Sequence, residues 1–437
     1  MPPRVLEARR AAQALRGSLE PPGDKSISHR ALILGSLAMG ETEIHGLLHS
    51  ADVLATRHAL TQLGVAINDD GDRVRIRGQG AAGLSAPVKP LDLGNSGTAI
   101  RLLCGVLAAQ PFDCELHGDA SLSRRPMRRI IDPLRSMGAD IQATEQFTAP
   151  LAIRGHRLRG VDYSSPVASA QVKSCVLLAG LYAEGRTRVR EALPSRDHTE
   201  RMLALFGAPL DGEGWIHGGI ALSAARVSVP ADISSAAFPL AAALLVPGSD
   251  ILLRNVGLNP TRTGLLDALK AMGARLEIRE TSGNPYEPAG NIRVRYNGRL
   301  QAASVTARQV PSMVDEIPVL MALAATSEGV TRIRGAAELR VKESDRLAVM
   351  GTALQRLGVG IELYPDGADI EGRASLGGVP LVDSAGDHRC AMSLAILALG
   401  LSSGLSIAGA DYIGTSYPGF VSDLRALGAE MKMAETA

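Results

Sequence analysis

Basic side chains recur in or beside six short polar segments, each followed by an almost wholly apolar stretch. These cations are Lys25, Arg30, Arg101, Arg125, Lys173, Arg346 and Arg389. Each segment lies where a helix is predicted to begin, and free backbone N–H groups and the helix dipole favour anions there. A cation at that place opposes the dipole unless an anion is present. The pattern favours multiply anionic small substrates, although Ser, Asp and Asn in such segments are also typical of ordinary N-caps.

Three carboxylates stand among these cations: Asp315, Glu343 in RVKESDR, and Asp387 in DHR. A carboxylate beside cations can be a simple ion-pair partner, and spacing alone does not decide between that role and a catalytic one. In the functional interpretation, a carboxylate held among cations stays ionised at neutral pH and suits a base. A carboxylate whose pKa is raised could instead donate a proton.

Six copies of one pattern position these residues, at intervals of roughly 65–80 residues. Each copy has a polar opening, an apolar helix, a Gly-containing turn and a short alternating strand. Further alternating segments, such as Val74–Arg77, follow some copies and are also predicted to be strands. The copies begin near Ser26, Gly97, Ser169, Asp232, Ser312 and Asp387. A second, amphipathic helix follows in each copy and ends where a C-cap glycine belongs, at Gly64, Gly138, Gly207, Gly273, Gly358 and Gly428. Because the first helix is apolar all round, we predict an α/β fold with buried helices and outward sheets.

The chain length of 437 residues indicates two or three domains. The first and fourth copies open alike, with Pro22-Gly23-Asp24 matching Pro230-Ala231-Asp232, so the six copies divide three and three. We therefore expect one domain over residues 21–230 and a second over residues 1–20 plus 231–437. A solenoid is the alternative, but the polar caps typical of such an array are not evident.

The charge balance of 46 basic against 45 acidic residues argues against nucleic acid and anionic membranes as partners. With only 3% aromatic residues, base-stacking platforms would also be scarce. The four cysteines, which are Cys104, Cys114, Cys175 and Cys390, fit neither a disulfide framework nor a metal knuckle. These features predict a cytoplasmic protein acting on small molecules, and we expect a monomer.

Nine motifs, in order along the chain, carry a resemblance to a known family. They are PGDKSISHRALILGSLA, LGNSGTAIRLL, GDASLSRRPM, ASAQVKSCVLLAG, SRDHTERM, NPTRTG, SMVDEIPVL, ELRVKESDRL and GDHRCAMS. Over essentially its whole length the chain resembles the 5-enolpyruvylshikimate-3-phosphate synthases, and ASAQVKS, RDHTE and SMVDE are similar to their second sequence class, which includes glyphosate-tolerant members. The resemblance implies a two-domain inside-out α/β fold, each domain built from three βαβαββ units, closing over an active site in the cleft between them.

The implied reaction moves the enolpyruvyl group of phosphoenolpyruvate to the 5-hydroxyl of shikimate 3-phosphate and releases phosphate. By resemblance, shikimate 3-phosphate is bound by Lys25, Ser26, Arg30, Ser169, Ala170, Gln171, Arg196, Asp315 and Lys342. The implied phosphoenolpyruvate-binding residues are Lys25, Gly97, Arg125, Gln171, Arg346 and Arg389. Asp315 would accept the 5-hydroxyl proton, and Glu343 would protonate the methylene carbon and later remove a proton, with His388 nearby. Lys25 is counted with these catalytic residues, and no metal or organic cofactor is implied because neither hydride nor electron moves.

The chain departs from the family pattern at Thr415, where many relatives have a lysine nearby, and at Glu338, where others have asparagine. Gly97 stands where tolerant members look like alanine. One alternative is a UDP-N-acetylglucosamine enolpyruvyl transferase, disfavoured by Lys25-Ser26 and by the lack of cysteine in the loop 123–126. Another is a non-catalytic anion-binding protein, against which the presence of both Asp315 and Glu343 speaks.

Overall fold

A computed structural model describes residues 4–281, 284, 286–377 and 381–435. The parts of the two expected domains at residues 1–3, 282–283, 285, 378–380 and 436–437 lie outside the described residues. The chain divides into two compact units. The first unit comprises Gly23–Val229 and Asn284–Glu287, and the second comprises Met1–Pro22, Pro230–Gly283 and Pro288–Ala437. The chain thus passes between units at Pro22 and Pro230, the prolines near which the repeats indicate the crossings.

The described residues form twelve α-helices and twenty-four strands, numbered here along the chain. The helices are α1 (Lys25–Leu37), α2 (Ala51–Gln62), α3 (Gly97–Leu107), α4 (Arg128–Ser136), α5 (Ala170–Gly180), α6 (His198–Leu205), α7 (Ile233–Leu245), α8 (Gly264–Ala271), α9 (Ile317–Ala324), α10 (Arg346–Arg356), α11 (His388–Ala398) and α12 (Phe420–Ala426). The first twelve strands are β1 (Arg4–Ala8), β2 (Arg16–Leu19), β3 (Ala38–His45), β4 (Ala66–Asp69), β5 (Arg73–Gln79), β6 (Leu91–Asp92), β7 (Cys114–His117), β8 (Asp140–Gln142), β9 (Leu151–Arg154), β10 (Asp162–Ser165), β11 (Arg186–Glu191) and β12 (Trp215–His217). The remaining strands are β13 (Leu222–Ser223), β14 (Arg226–Ser228), β15 (Asp250–Gly257), β16 (Arg275–Thr281), β17 (Ala289–Arg295), β18 (Ser304–Val305), β19 (Val330–Ile333), β20 (Gly360–Tyr364), β21 (Gly367–Glu371), β22 (Leu381–Asp383), β23 (Leu405–Ala408) and β24 (Met431–Glu435).

The strands form six sheets among the described residues, one for each repeat. In the first unit the sheet orders are β13-β3-β5-β4, with β14 also beside β3, then β6-β7-β9-β8, and β10-β11-β12. In the second unit they are β16-β17-β15-β2, β18-β19-β21-β20 and β22-β23-β1-β24. In the repeats of α3, α5, α9 and α11, the strand before the helix runs parallel to the strand after it, as β6 does to β7, where Leu91 faces Leu116. After α1, β3 is instead parallel to β13 and β14, and after α7, β15 is parallel to β2. The first two strands of the chain belong to sheets of the second unit: β2 pairs with β15, and β1 lies between β23 and β24.

The apolar helices of the repeats lie inside both units. Every residue of α9 and of α11 is buried, and α3 packs on α5 as α11 packs on α9 and α7. The strands alternate instead: in β5, Val74 and Ile76 are buried, whereas Arg77 is exposed. Burying a Leu, Ile or Val side chain contributes about 1.5–3 kcal/mol, which favours central positions for helices that are apolar on every side. The predicted α/β class with inner helices and outer sheets is confirmed.

The six glycines predicted to end the amphipathic helices all adopt the left-handed conformation. Their φ angles lie between +85° and +105°, and each follows the C-cap residue of its helix. A residue with a Cβ is strained at such a φ, so glycine is favoured where the chain reverses after a helix. The glycines are Gly64, Gly138, Gly207, Gly273, Gly358 and Gly428.

Two boundaries differ from the sequence prediction. Asn284–Glu287 groups with the first unit, because Glu287 Oε1 lies 2.7 Å from His198 Nδ1 and Asn284 Nδ2 donates to the carbonyl of Ser228 at 3.0 Å. Helix α9 begins at Ile317, five residues after the predicted opening at Ser312, and two 3₁₀ turns precede it. Pro318 accounts for the late start, since proline is tolerated only in the first turn of an α-helix.

No helix in the described part of the chain is long and apolar enough to cross a bilayer.

Candidate active site

The first two turns of α1, α3 and α5 contact one another within the first unit. Arg30 of α1 donates from Nη2 to Ser174 Oγ of α5 at 2.6 Å. Gln171 of α5 accepts from Arg101 Nη1 of α3 at 2.7 Å and donates to Thr98 Oγ1 at 3.0 Å. Three helix N-termini, each rich in free N–H groups, are therefore side by side. The polar openings of the first three repeats are brought together as an anion-binding surface requires.

Arg30 is held on three sides. Besides Ser174, its guanidinium donates from Nε to Thr199 Oγ1 at 2.7 Å and from Nη1 to the carbonyl of Ser26 at 2.8 Å. Burial lowers the pKa of Arg30 to about 10, so the side chain stays cationic at neutral pH. Ser26 lies one helical turn before Arg30, so these two residues present a hydroxyl and a cation at one place.

Arg125 and Gly97 are neighbours. A methyl group at Gly97 would lie 3.0 Å from Arg125 Nη1 and 2.9 Å from Arg101 Nη1. Arg125 is buried and donates from Nη2 to Asn95 Oδ1 and, at 3.3 Å, to Ser121 Oγ. The absence of a side chain at Gly97 therefore leaves space that two guanidinium groups border.

The remaining residues predicted in the first unit lie at the starts of helices or just before them. Lys25 opens α1 and forms an ion pair of 3.2 Å with Asp52. Ser169 caps α5, accepting from the backbone N–H of Val172 at 3.5 Å, and Ala170 is the first residue of that helix. Arg196 is half-buried in the segment between β11 and α6.

In the second unit, the guanidinium of Arg346 binds three carboxylates. It donates from Nε to Asp387 Oδ2 at 2.8 Å, from Nη1 to Asp315 Oδ1 at 3.1 Å and from Nη2 to Glu343 Oε2 at 2.6 Å. Arg346 is 1% exposed. Burial disfavours its charge, yet the three carboxylates outweigh burial and raise the pKa of Arg346. The two carboxylates predicted to move protons are thus held by one cation.

Arg389 and Lys342 lie beside the same carboxylates. Arg389 Nε is 3.7 Å from Asp315 Oδ1, and its Nη1 donates to the Asp315 carbonyl at 3.4 Å. Lys342 Nζ is 3.8 Å from Glu338 Oε1. Partial burial lowers the pKa of Lys342, and the negative charges of Asp315 and Glu338 oppose that shift. All five predicted site residues of the second unit, Asp315, Lys342, Glu343, Arg346 and Arg389, belong to this cluster.

Comparison with known proteins identifies the family. Residues 9–424 match the family model described as EPSP synthase (3-phosphoshikimate 1-carboxyvinyltransferase). The chain belongs to the EPSP synthase family. Proteins named 3-phosphoshikimate 1-carboxyvinyltransferase from Methylococcus capsulatus and Alkalilimnicola ehrlichii are 52% and 53% identical to it. The alignments cover 96% of this chain and 97% of the first protein, and 94% of this chain and 93% of the second.

A solved EPSP synthase from Acinetobacter baumannii resembles the chain in structure as well. Its TM-score is 0.86 at 43% sequence identity, over 99% of this chain and 100% of that one. The predicted family, fold class and transferase class are therefore confirmed. Membership of the EPSP synthase family supports transfer of an enolpyruvyl group to shikimate 3-phosphate rather than to UDP-N-acetylglucosamine.

The structure corrects one step of the sequence reasoning about this EPSP synthase family member. Cations at helix starts were expected to oppose the dipole unless a substrate anion is present, yet the protein supplies carboxylates of its own. Lys173 lies 2.9 Å from Glu191 and 2.8 Å from Glu200, and Lys25 pairs with Asp52. Spacing along the chain does not reveal these partners, because helix packing brings them together from distant segments.

Of the two roles considered for Asp387, ion-pair partner and proton-transfer group, its contacts favour the first. Its Oδ1 accepts from the backbone N–H groups of Arg389 and Cys390, which caps α11, and its Oδ2 binds Arg346. The side chain is fully buried, so it serves as a cap and an ion-pair partner. Of the two departures from the family pattern, Thr415 donates to the carbonyl of Tyr412 at 2.6 Å, and Glu338 is the partner of Lys342.

Three carboxylates that were not predicted from the sequence contact predicted site residues: Asp52 contacts Lys25, Glu191 contacts Ser169, and Glu316 contacts Arg389. Glu316 is 1% exposed, accepts from Ser234 Oγ and lies 4.0 Å from Arg389 Nη1. Its place directly after Asp315 in SMVDE was the available signal. Within the described ranges, no group of three or more His, Cys, Asp or Glu side chains could hold a metal ion.

Proposed function

We propose that this chain transfers the enolpyruvyl group of phosphoenolpyruvate to the 5-hydroxyl of shikimate 3-phosphate, with Asp315 and Glu343 as its proton-transfer groups. The observation that carries the proposal is the placement of both carboxylates on one buried guanidinium, that of Arg346. A carboxylate beside a cation stays ionised and can accept a proton. Asp315 accordingly removes the proton from the 5-hydroxyl as its oxygen attacks phosphoenolpyruvate.

Glu343 supplies the second proton transfer. It protonates the methylene carbon as the tetrahedral adduct forms, and it takes a proton back when the adduct releases phosphate. Its 2.6 Å hydrogen bond from Arg346 favours the carboxylate form, which is the form that the second step needs. The first step needs the acid form. When an anionic group of phosphoenolpyruvate accepts hydrogen bonds from Arg346, the guanidinium stabilises the Glu343 carboxylate less, and the acid form of Glu343 is favoured. Substrate binding is thereby linked to protonation of Glu343.

The residues proposed to bind shikimate 3-phosphate lie mainly at the openings of the first and third repeats, with Asp315 and Lys342 from the second unit. Arg30, Arg196 and Lys342 supply charge for the phosphate and carboxylate groups, and backbone N–H groups at helix starts supply further donors. The residues proposed to contact this substrate are Lys25, Ser26, Arg30, Ser169, Ala170, Gln171, Arg196, Asp315 and Lys342. The support for the members from the first and third repeats is the contact of α1 with α5 through Arg30 and Ser174.

Phosphoenolpyruvate carries two anionic groups on a small frame. Arginine suits both because its planar guanidinium donates two parallel hydrogen bonds to a carboxylate or phosphate. The residues proposed to contact it are Lys25, Gly97, Arg125, Gln171, Arg346 and Arg389. The support for this set is local: Arg125 borders the space at Gly97, and Arg346 and Arg389 both lie beside Asp315.

Phosphate release tests the proposal. The purified chain is incubated with phosphoenolpyruvate and either shikimate 3-phosphate or UDP-N-acetylglucosamine, and phosphate is measured over time. Phosphate release is expected when the acceptor is shikimate 3-phosphate and not when it is UDP-N-acetylglucosamine. Release with the nucleotide sugar would identify the alternative transferase, and release with neither acceptor would favour a non-catalytic anion-binding protein.

A cytoplasmic monomer is proposed as the working form. The support for the compartment is the state of the four cysteines, all of which are buried and free, as expected for a reducing environment. Light scattering coupled to size exclusion is expected to give a single species near the chain mass of 45.7 kDa. A species of twice that mass would overturn the monomer, and recovery of the native enzyme outside the cytoplasmic fraction would overturn the compartment.

A further inference from the structure

Glu191, the last residue of β11, joins two backbone segments of the first unit. Its Oε1 accepts from the backbone N–H of Ser169 at 3.1 Å. Its Oε2 accepts from the backbone N–H of Ser195 at 3.1 Å and from Ser195 Oγ at 2.9 Å. The side chain is 6% exposed. One buried carboxylate therefore fixes the start of α5 and the segment before α6 relative to each other.

Lys173 neutralises this carboxylate. Its Nζ lies 2.9 Å from Glu191 Oε2 and 2.8 Å from Glu200 Oε1, and it donates to the carbonyl of Ser195 at 3.4 Å. Burial disfavours the lysine charge, but the two carboxylates outweigh burial and raise the pKa of Lys173. Lys173 therefore remains charged at neutral pH. The carboxylate of Glu191 is satisfied inside the protein, and its geometry is set by four donors.

The two segments that Glu191 joins precede residues assigned above to shikimate 3-phosphate. Ser169 caps α5 and is followed by Ala170 and Gln171, whereas Ser195 is followed by Arg196. Glu191 itself has no place in that set. A phosphate held by a helix start and a neighbouring arginine depends on the separation of those two segments, because hydrogen bonds to a phosphate weaken steeply with distance and angle.

We propose that Glu191 is a positioning residue for the phosphate-binding part of the shikimate 3-phosphate site. The inference rests on the proposed function, since it takes Ser169 and Arg196 as groups near the substrate phosphate. Glu191 acts through the backbone at Ser169 and Ser195 and makes no substrate contact. Its role is to hold donors from two elements at the spacing that one phosphate group can bridge.

Binding of two ligands that differ only in the phosphate tests this role. The full-length protein, as wild type and as Glu191→Gln, is titrated calorimetrically with shikimate 3-phosphate and with shikimate. The glutamine keeps the side-chain volume but places an N–H donor where the carboxylate accepted, so the spacing of the two segments is expected to change. We expect the Kd for shikimate 3-phosphate to rise about tenfold, comparable to losing one charge-assisted hydrogen bond, and the Kd for shikimate to change less than about twofold.

Asp162→Asn is the matched control. Asp162 is a carboxylate of the same sheet, on β10, and pairs with Arg188 at 2.7 Å. Within the part of the chain that the structure describes, it forms no hydrogen bond or ion pair with Ser169 or Ser195. This variant is expected to bind both ligands like the wild type. Glu191→Asp keeps the charge and withdraws it by one methylene, and its affinity for shikimate 3-phosphate is expected to fall between those of the wild type and Glu191→Gln.

Two results would overturn the inference. One is a folded Glu191→Gln that binds shikimate 3-phosphate as tightly as the wild type. Another is an equal loss of affinity for both ligands, which indicates general disruption of the unit. If Glu191→Gln fails to fold, the same comparison is made on Glu191→Asp, and an unselective loss or no loss there has the same meaning. A wild type that does not bind shikimate 3-phosphate at all would instead contradict the proposed function.

Discussion

Arg346 Nη1 donates a hydrogen bond of 3.1 Å to Asp315 Oδ1, across 31 positions of the chain. The other two nitrogens of the same guanidinium bind Asp387 and Glu343. A cation proposed to bind phosphoenolpyruvate is therefore engaged by the protein's own carboxylates, and the substrate has to compete with them for its donors. Because both proposed proton-transfer groups share this cation, a change in one of them also alters the electrostatic surroundings of the other.

Asp315→Asn is expected to lower kcat by about 10²- to 10⁴-fold, the range typical of a lost general base. The amide keeps the shape of the side chain and an oxygen that can accept from Arg346, so both KM values are expected to stay within about threefold. Steady-state kinetics with each substrate varied in turn measure this. Near-normal turnover at saturation would remove Asp315 from the proton-transfer step.

Glu343→Gln is expected to show a loss of kcat of similar size, about 10²- to 10⁴-fold. Proton transfer to and from carbon is abolished, whereas the carbonyl oxygen of glutamine can still accept from Arg346 Nη2. Rapid-quench analysis of a single turnover is the informative measurement, because the variant is expected to form neither adduct nor product at the wild-type rate. Adduct formation at the wild-type rate would assign the protonation of the methylene carbon to another group.

Arg125→Ala is expected to raise the KM for phosphoenolpyruvate by about 100-fold, since it removes a forked donor to an anion. The KM for shikimate 3-phosphate is expected to change little. Arg124→Ala is the matched control, because Arg124 is the adjacent arginine and is exposed. Equal effects of the two substitutions would show that Arg125 acts through general charge and does not contact the substrate.

Gly97→Ala tests the space beside Arg125. The added methyl would lie 3.0 Å or less from the guanidinium nitrogens of Arg125 and Arg101, which are ends of flexible side chains, so the fold survives while the donors shift. We expect the wild type to be inhibited by glyphosate in competition with phosphoenolpyruvate. We expect Gly97→Ala to relieve that inhibition at some cost in phosphoenolpyruvate affinity, because glyphosate is the longer ligand.

Dose–response curves at fixed phosphoenolpyruvate measure the effect of Gly97→Ala. Gly212→Ala serves as control, since a methyl group there meets no atom within 4 Å. A wild type already insensitive to millimolar glyphosate, or an unchanged curve for Gly97→Ala, would contradict the steric explanation.

Asp387→Asn is expected to lower the free energy of unfolding by about 3 kcal/mol at pH 7, because a buried ion pair loses one member while the N-cap of α11 is retained. Burial alone would raise the pKa of Asp387, but Arg346 outweighs burial and holds it below its usual value. A carboxyl group with a lowered folded-state pKa stabilises the protein above its unfolded pKa of about 3.9. That stabilisation is lost as the pH falls through the folded-state pKa.

The difference in stability between wild type and Asp387→Asn is therefore expected to be constant near neutral pH and to narrow in acid. Urea unfolding at several pH values measures it. Asp383→Asn, at an exposed carboxylate four residues earlier, is expected to show no such difference. A difference that widens as the pH falls would contradict the assignment of the ion pair.

The sequence alone predicted the features that depend on neighbouring residues. Apolar helices, their polar openings and the C-cap glycines repeat six times, so each repeat gave an independent indication of the same local structure. Gly97, for example, is the first residue of α3, and Asp387 is the N-cap of α11, as their positions at the openings indicated. Such features follow from backbone propensity and capping, which operate within one or two helical turns.

Tertiary structure decided which charges meet. Two of the three partners of Arg346, Asp315 and Asp387, come from distant segments of the second unit. Glu191 joins two segments of the first unit, and Glu287 contacts His198 across 89 positions of the chain. A carboxylate contacts a cation from a distant segment only after helix packing has brought the two segments together. That packing is driven by burial of apolar side chains, whose pattern in the sequence does not show which charged residues will pair. Pro318 restricts where α9 can begin, so the helix starts at Ile317 and not near Ser312. Asp315 therefore lies in a 3₁₀ turn beside Arg346 and Arg389, a position that the sequence did not predict.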